Sequence, residues 1–106
     1  MTDKGIVYIT ASSREEAETL AKCLVKNRLV ACVNILPEVM SWYWWEGKIC
    51  NEKEFLLIAK TTARLFTELK KEVKVHHSYD VPEIIFVPIQ DGSQKYLDWI
   101  SDVTKS

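Results

Sequence analysis

Residues 29–48, LVACVNILPEVMSWYWWEGK, constrain this chain more than any other stretch, because few small folds have room for them. In the first half apolar residues occupy both parities, Val30, Cys32 and Leu36 against Ala31, Val33 and Ile35, with Asn34 the polar exception. Such a strand is covered on both faces. Pro37 is expected to end it, since proline offers no N–H to a ladder. In the second half Trp42 and Trp44 fall on one parity and Tyr43 and Trp45 on the other, so large rings project from both faces of a strand. Each ring has about 150–250 Å² to bury, and together they exceed what a domain of this length absorbs at one edge. Glu46-Gly47 reads as a tight turn and Lys48, Ile49 and Cys50 as the return, which makes residues 40–50 a projecting β-hairpin arm. An aromatic arm of this kind calls for a partner surface.

The rest of the chain supplies material for a single core. Its 106 residues are 47% hydrophobic and 27% charged, which fits one domain spanning 1–106. Lys plus Arg number 14 against 15 Asp plus Glu, so the positive field of a nucleic-acid or anionic-membrane binder is missing and neither is expected as a partner. The start is not leader-like, and no apolar run approaches the ~18 residues of a membrane span, so the expected location is cytoplasmic. Cys23, Cys32 and Cys50 form no paired motif and read as buried free thiols.

Taken in order, residues 5–10 (GIVYIT) are a β-branched and aromatic run that predicts a central strand. Ser12 and Ser13, with Glu15 and Glu16 three residues on, predict a capped helix start. Ala17, Leu20, Ala21, Leu24 and Val25 then recur at helical spacing until Asn27-Arg28. After the arm, residues 54–61 (EFLLIAKT) predict a strand, and Thr61 or Thr62 a cap for a helix over 63–75. That helix has a stripe of Leu65, Phe66, Leu69 and Val73, and its charged residues, Glu72 among them, read as a solvated face. Residues 76–80 are a polar connection, residues 81–89 a strand with proline near both ends, and Tyr96, Leu97, Ile100 and Val103 the stripe of a short last helix with Trp99 beside it. This order gives two interleaved βαβ halves, an α+β ferredoxin-like βαββαβ sandwich with an extended aromatic hairpin arm and a C-terminal helix. Two core helices cover one sheet face. The strands at 29–36 and 81–89 are apolar on the other face as well, and self-association resolves both that face and the arm.

Five stretches, LVACVNILP, SWYWWEGKI, EFLLIAKT, HHSYDVPEII and YLDWI, in this order and spacing, resemble the CutA family of divalent-cation tolerance proteins over nearly the whole chain. The resemblance implies a non-enzymatic, ferredoxin-like subunit assembled as a homotrimer, similar in architecture to the PII signalling proteins. It also implies a role in divalent metal ion tolerance, with copper(II) or another divalent cation as the bound species and no cofactor required. The implied metal ligands are the tandem His76 and His77. In some members a cysteine closes the first strand where this chain has Thr10, and a proline stands where it has Ser78.

Adjacent histidines diverge in either a strand or a helix, so one site using both requires an unusual loop or a subunit junction. Glu83 and Asp80 offer nearby carboxylates to complete it. Trp42, Tyr43, Trp44 and Trp45 are expected in the trimer interface, and Glu46, Lys48, Lys60, Tyr79 and Glu83 beside it, in an intersubunit cleft or its ion pairs. The alternative function is a PII-like trimeric signal transducer that binds a small metabolite in those clefts. An RNA-recognition sheet is excluded by the missing Gly-rich basic motif, and no GxSxG, P-loop or HExxH supports an enzyme.

Overall fold

The computed structural model describes residues 2–106. Where β-branched and aromatic residues alternate, the chain extends into β1 (Lys4–Ala11), which is the inner strand expected, flanked by β3 (Lys48–Thr62) and β4 (Ile84–Pro88). With β2 (Cys32–Trp45) on the edge, the sheet order is β2-β3-β1-β4, antiparallel throughout, which is the ferredoxin-like order. One face carries Val7, Ile9 and Ala11 of β1 with Leu57 and Ala59 of β3, all buried, and two helices cover it.

The first helix, α1 (Arg14–Lys26), begins at Ser13, whose hydroxyl accepts from the Glu16 N–H. The Glu16 carboxylate reaches back to the Ser12 N–H, a capping arrangement in which both orphan donors are met. Ala17, Leu20 and Leu24 point into the core. Past the Asn27 cap, Arg28 takes φ 56°, and the Arg28 and Leu29 N–H groups return to the Val25 and Leu24 carbonyls. This Schellman turn buries Leu29 against the core from which the helix came. The second helix, α2 (Phe66–His76), enters through a 3-10 turn, Ala63–Leu65, capped by Thr62 without a side-chain bond. The last helix, α3 (Gln94–Val103), buries Leu97 and Ile100 and packs against β3. Its Tyr96 hydroxyl lies 3.6 Å from Cys32 Sγ.

Three expectations need correction. Pro37 does not end β2. Leu36 pairs with Leu56 and Val39 with Glu54, so residues 37 and 38 stand against Phe55 alone in a β-bulge, with Glu38 at φ 56°. A bulge asks no ladder N–H of the proline, and so the strand continues through it into the arm. The last strand is Ile84–Pro88 rather than 81–89, because the residues from Ser78 to Glu83 form the loop that leaves α2. Finally, the three cysteines are free but only half-buried, not enclosed in the core.

The uncovered sheet face is as apolar as the sequence implied. Leu36, Ile85 and Val87 are exposed on it.

Candidate functional site

The arm is the outer half of the β2-β3 hairpin. Glu46 and Gly47 both adopt positive φ, 51° and 76°, as a two-residue type I′ turn requires. Beyond the bulge the pairing sets Trp42 and Trp44 opposite Asn51 and Ile49, and Tyr43 and Trp45 opposite Cys50 and Lys48. Trp42 and Trp44 are 69% and 70% exposed, the pattern of side chains made for another surface. At the root of the arm a groove of about 640 Å³ is lined by Met40, Trp42, Tyr43, Trp45, Glu52 and Glu54 from the hairpin, Thr10 from β1, and Tyr79, Asp80 and Glu83 from the loop after α2.

Two phenol–carboxylate pairs order this groove. The Tyr43 hydroxyl donates to Glu52 Oε1 at 2.5 Å, and that bond pushes its pKa up to about 12. The Tyr79 hydroxyl donates to Oε2 of the buried Glu54 at 2.9 Å, and burial followed by this bond raises its pKa further. Desolvation, then the charge on Glu54, also pushes Glu83 above the usual carboxylate range.

The loop carrying Tyr79 is held by His77. The Tyr79 N–H donates to His77 Nδ1 at 3.0 Å, so Nε2 is the protonated nitrogen and donates to the Thr10 carbonyl at 2.7 Å. Both ring nitrogens are therefore occupied, and the ring packs against Tyr79 at 4.9 Å between centroids. Glu16 completes the anchorage by accepting from the Ser78 N–H at 2.7 Å. Burial alone would raise its pKa, but this bond and that from Ser12 hold it below the usual range.

His76 lies elsewhere. It is the last residue of α2 and turns toward α1, where its Nε2 stands 3.2 Å from Glu72 Oε1 and 3.5 Å from Cys23 Sγ. The Cys23 thiol donates to the same Glu72 oxygen at 3.1 Å. Burial, then this bond, pushes the thiol up, while the thiol and the imidazole lower Glu72.

The expected ligands His76, His77 and Glu83 therefore do not converge within one chain. Of the expected cleft residues, Tyr43, Trp42, Trp45, Tyr79 and Glu83 meet at the groove, whereas Trp44, Glu46 and Lys48 stand exposed toward the arm tip. Lys60 is bonded to Asn34 and belongs to neither. Sequence reasoning passed over Glu52, Glu54, Cys23 and Glu72. The spacing of Glu72 and His76, four apart on one helix face, was a readable signal for the last of these, and Glu72 is engaged rather than solvated.

A ferredoxin-like antiparallel sandwich whose β2-β3 hairpin extends into an aromatic arm defines the class of protein. Residues 5–103 match the family model described as CutA1 divalent ion tolerance protein, and the chain belongs to that family. It is 48% identical over 99 residues to the divalent-cation tolerance protein CutA of Thermus thermophilus, covering 93% of this chain and 96% of that one. Identity to the protein of the same name from Archaeoglobus fulgidus is also 48%, over 101 residues, 95% of this chain and 98% of that one. Among solved structures, CutA1 from Thermus thermophilus aligns with a TM-score of 0.94 at 47% identity, over 96% of this chain and 99% of that one. CutA1 from Oryza sativa aligns with a TM-score of 0.94 at 44% identity, over 96% and 94%. Among the described residues no helix is long and apolar enough to cross a membrane.

Proposed function

We propose that this chain serves divalent-cation tolerance without catalysing a reaction, that it works as a homotrimer, and that copper(II) or a related divalent cation is what it handles. The family match over residues 5–103 carries the reading. It favours this function over the PII-like alternative. The homotrimer is supported by Trp42 and Trp44, both more than two-thirds exposed, and by Leu36, Ile85 and Val87 on the open sheet face, all of which a partner copy would cover. On this reading His76 is the histidine available to a cation, because both nitrogens of His77 are already bonded. Glu83 faces the groove, where a subunit junction would bring a neighbouring chain's groups to it. The cytoplasm is the proposed compartment, in keeping with three unpaired thiols.

Two measurements test the reading. Sedimentation should give three times the 12.3 kDa chain mass, and Trp42→Ser with Trp44→Ser should shift the protein toward monomer. Cells deprived of the chain should stop growing at a lower copper(II) concentration, with growth restored by the wild-type chain. A monomeric wild type would overturn the assembly, and unchanged copper(II) sensitivity would overturn the function.

A further inference from the structure

The Cys23, Glu72 and His76 side chains lie on the outer helical layer, on neither the groove nor the open sheet face. Two of them, Glu72 and His76, project from successive turns of α2. Cys23 arrives from the adjoining α1, 49 residues earlier than Glu72. Their ligand atoms all lie within 4.8 Å of one another, and among the described residues this is the one group of three or more such side chains brought so close.

The geometry points to a zinc(II) site formed by Cys23 Sγ, His76 Nε2 and Glu72 Oε1, which clamps α1 to α2. The donor separations are 3.1 Å for sulfur to oxygen, 3.2 Å for nitrogen to oxygen and 3.5 Å for sulfur to nitrogen. A tetrahedral zinc with bonds of about 2.3 Å to sulfur and about 2.0–2.1 Å to nitrogen and oxygen separates its donors by about 3.3–3.6 Å. Small side-chain adjustments open the observed triangle to those edges with no backbone movement. A thiolate, an imidazole and a carboxylate together suit zinc(II) in chemistry as well as in geometry. Binding replaces the thiol proton, which leaves to solvent, and no electron is transferred.

The surroundings fit a thiolate ligand. The Asn27 side-chain amide donates to Cys23 Sγ at 3.4 Å and to the Cys23 carbonyl at 3.0 Å, an outer-shell contact that orients the sulfur. Cys23 and Glu72 are half-buried and His76 is exposed, so the triangle is open to solvent on one side. Three protein ligands leave the fourth tetrahedral position to water, which makes this a site for an exchangeable ion rather than a closed structural one. The site stands on its own geometry and does not depend on the copper tolerance role.

The test is zinc(II) titration of the intact reduced protein by competition with a chromophoric chelator, repeated with cobalt(II). One zinc per chain is expected, with a thiolate-to-cobalt charge-transfer band in the near ultraviolet. Cys23→Ser and His76→Ala should each weaken zinc binding by about tenfold or more, and Asn27→Ala by about tenfold, the loss typical of an outer-shell contact. Cys23→Ser should abolish the cobalt band, and Cys32→Ser should leave it intact. His76 is exposed, so His76→Ala keeps the test decisive even where Cys23→Ser disturbs folding. A cobalt band that survives Cys23→Ser, or a zinc affinity that His76→Ala leaves within about twofold, would overturn the proposal. Because the readout is binding to purified protein, it is unaffected by whether cells need the chain for copper tolerance.

Discussion

At Gly5 a hydrogen atom is what lets the edge strand close. A Cβ there would lie 2.1 Å from the tip of the Phe86 ring, and that ring is held in turn by Phe66 at 5.3 Å between centroids. The aromatic thus packs directly over β1 backbone, filling the space a side chain would take. Gly5→Ala should destabilise by about 1–3 kcal/mol through forced displacement of Phe86, read as a lower denaturant midpoint with the slope unchanged. A midpoint equal to wild type would mean the ring moves freely. Nothing in GIVYIT announced this contact, because it depends on a residue about 80 positions away. The strand itself was legible, since alternation and β-branching are local properties. For the same reason the Ser13 cap and the helical stripe of Ala17, Leu20 and Leu24 could be read directly, whereas the meeting of Cys23 with Glu72 and His76 could not: a helix's polar face does not say what faces it.

The arm shows the same division at the level of a whole element. Its turn and its four aromatics were legible from Glu46-Gly47 and from parity, but Pro37 misled, because the rule that proline stops a ladder fails where a bulge removes the need for its N–H. The arm's chemistry is testable through Tyr43. Its pKa is raised from 10.0 to about 12 by the hydrogen bond to Glu52. A group whose folded pKa is raised lends stability that is complete below its unfolded value and is lost as the pH rises through the folded one. The Tyr43–Glu52 bond should therefore hold fully up to about pH 10 and fail on the way to about 12. Phenolate absorbance of wild type minus Tyr43→Phe should show a single late transition near the upper value, and a midpoint near 10 would remove the bond from solution.

The molecule as a whole measures 44 × 25 × 23 Å, nearly twice as long as it is wide, and the arm is the reason. A lone chain of that shape, bare on one sheet face and tipped with tryptophan, is legible in sequence as something unfinished. How copies fit together is not, because complementarity is a property of surfaces rather than of residue order. How the arm is aimed at any partner depends on one extra residue far from its tip. Along β3 alternation runs unbroken, but residues 37 and 38 of β2 count as one against Phe55. Every side chain beyond that point is thereby turned to the opposite side from where the inner half of β2 would have sent it. Removing Glu38 should restore the plain ladder with every later pair unchanged, Tyr43 still opposite Cys50 and bonded to Glu52. The late phenol transition should then persist in the same titration while the bend the bulge puts into the strand is lost; a phenol returned to the ordinary range would mean that the pairing had slipped instead. A family member aligned with a gap at this position would carry the same aromatics on the same sides of its arm but without the bend at its root, so that two near-identical sequences would aim their arms differently and no longer fit each other.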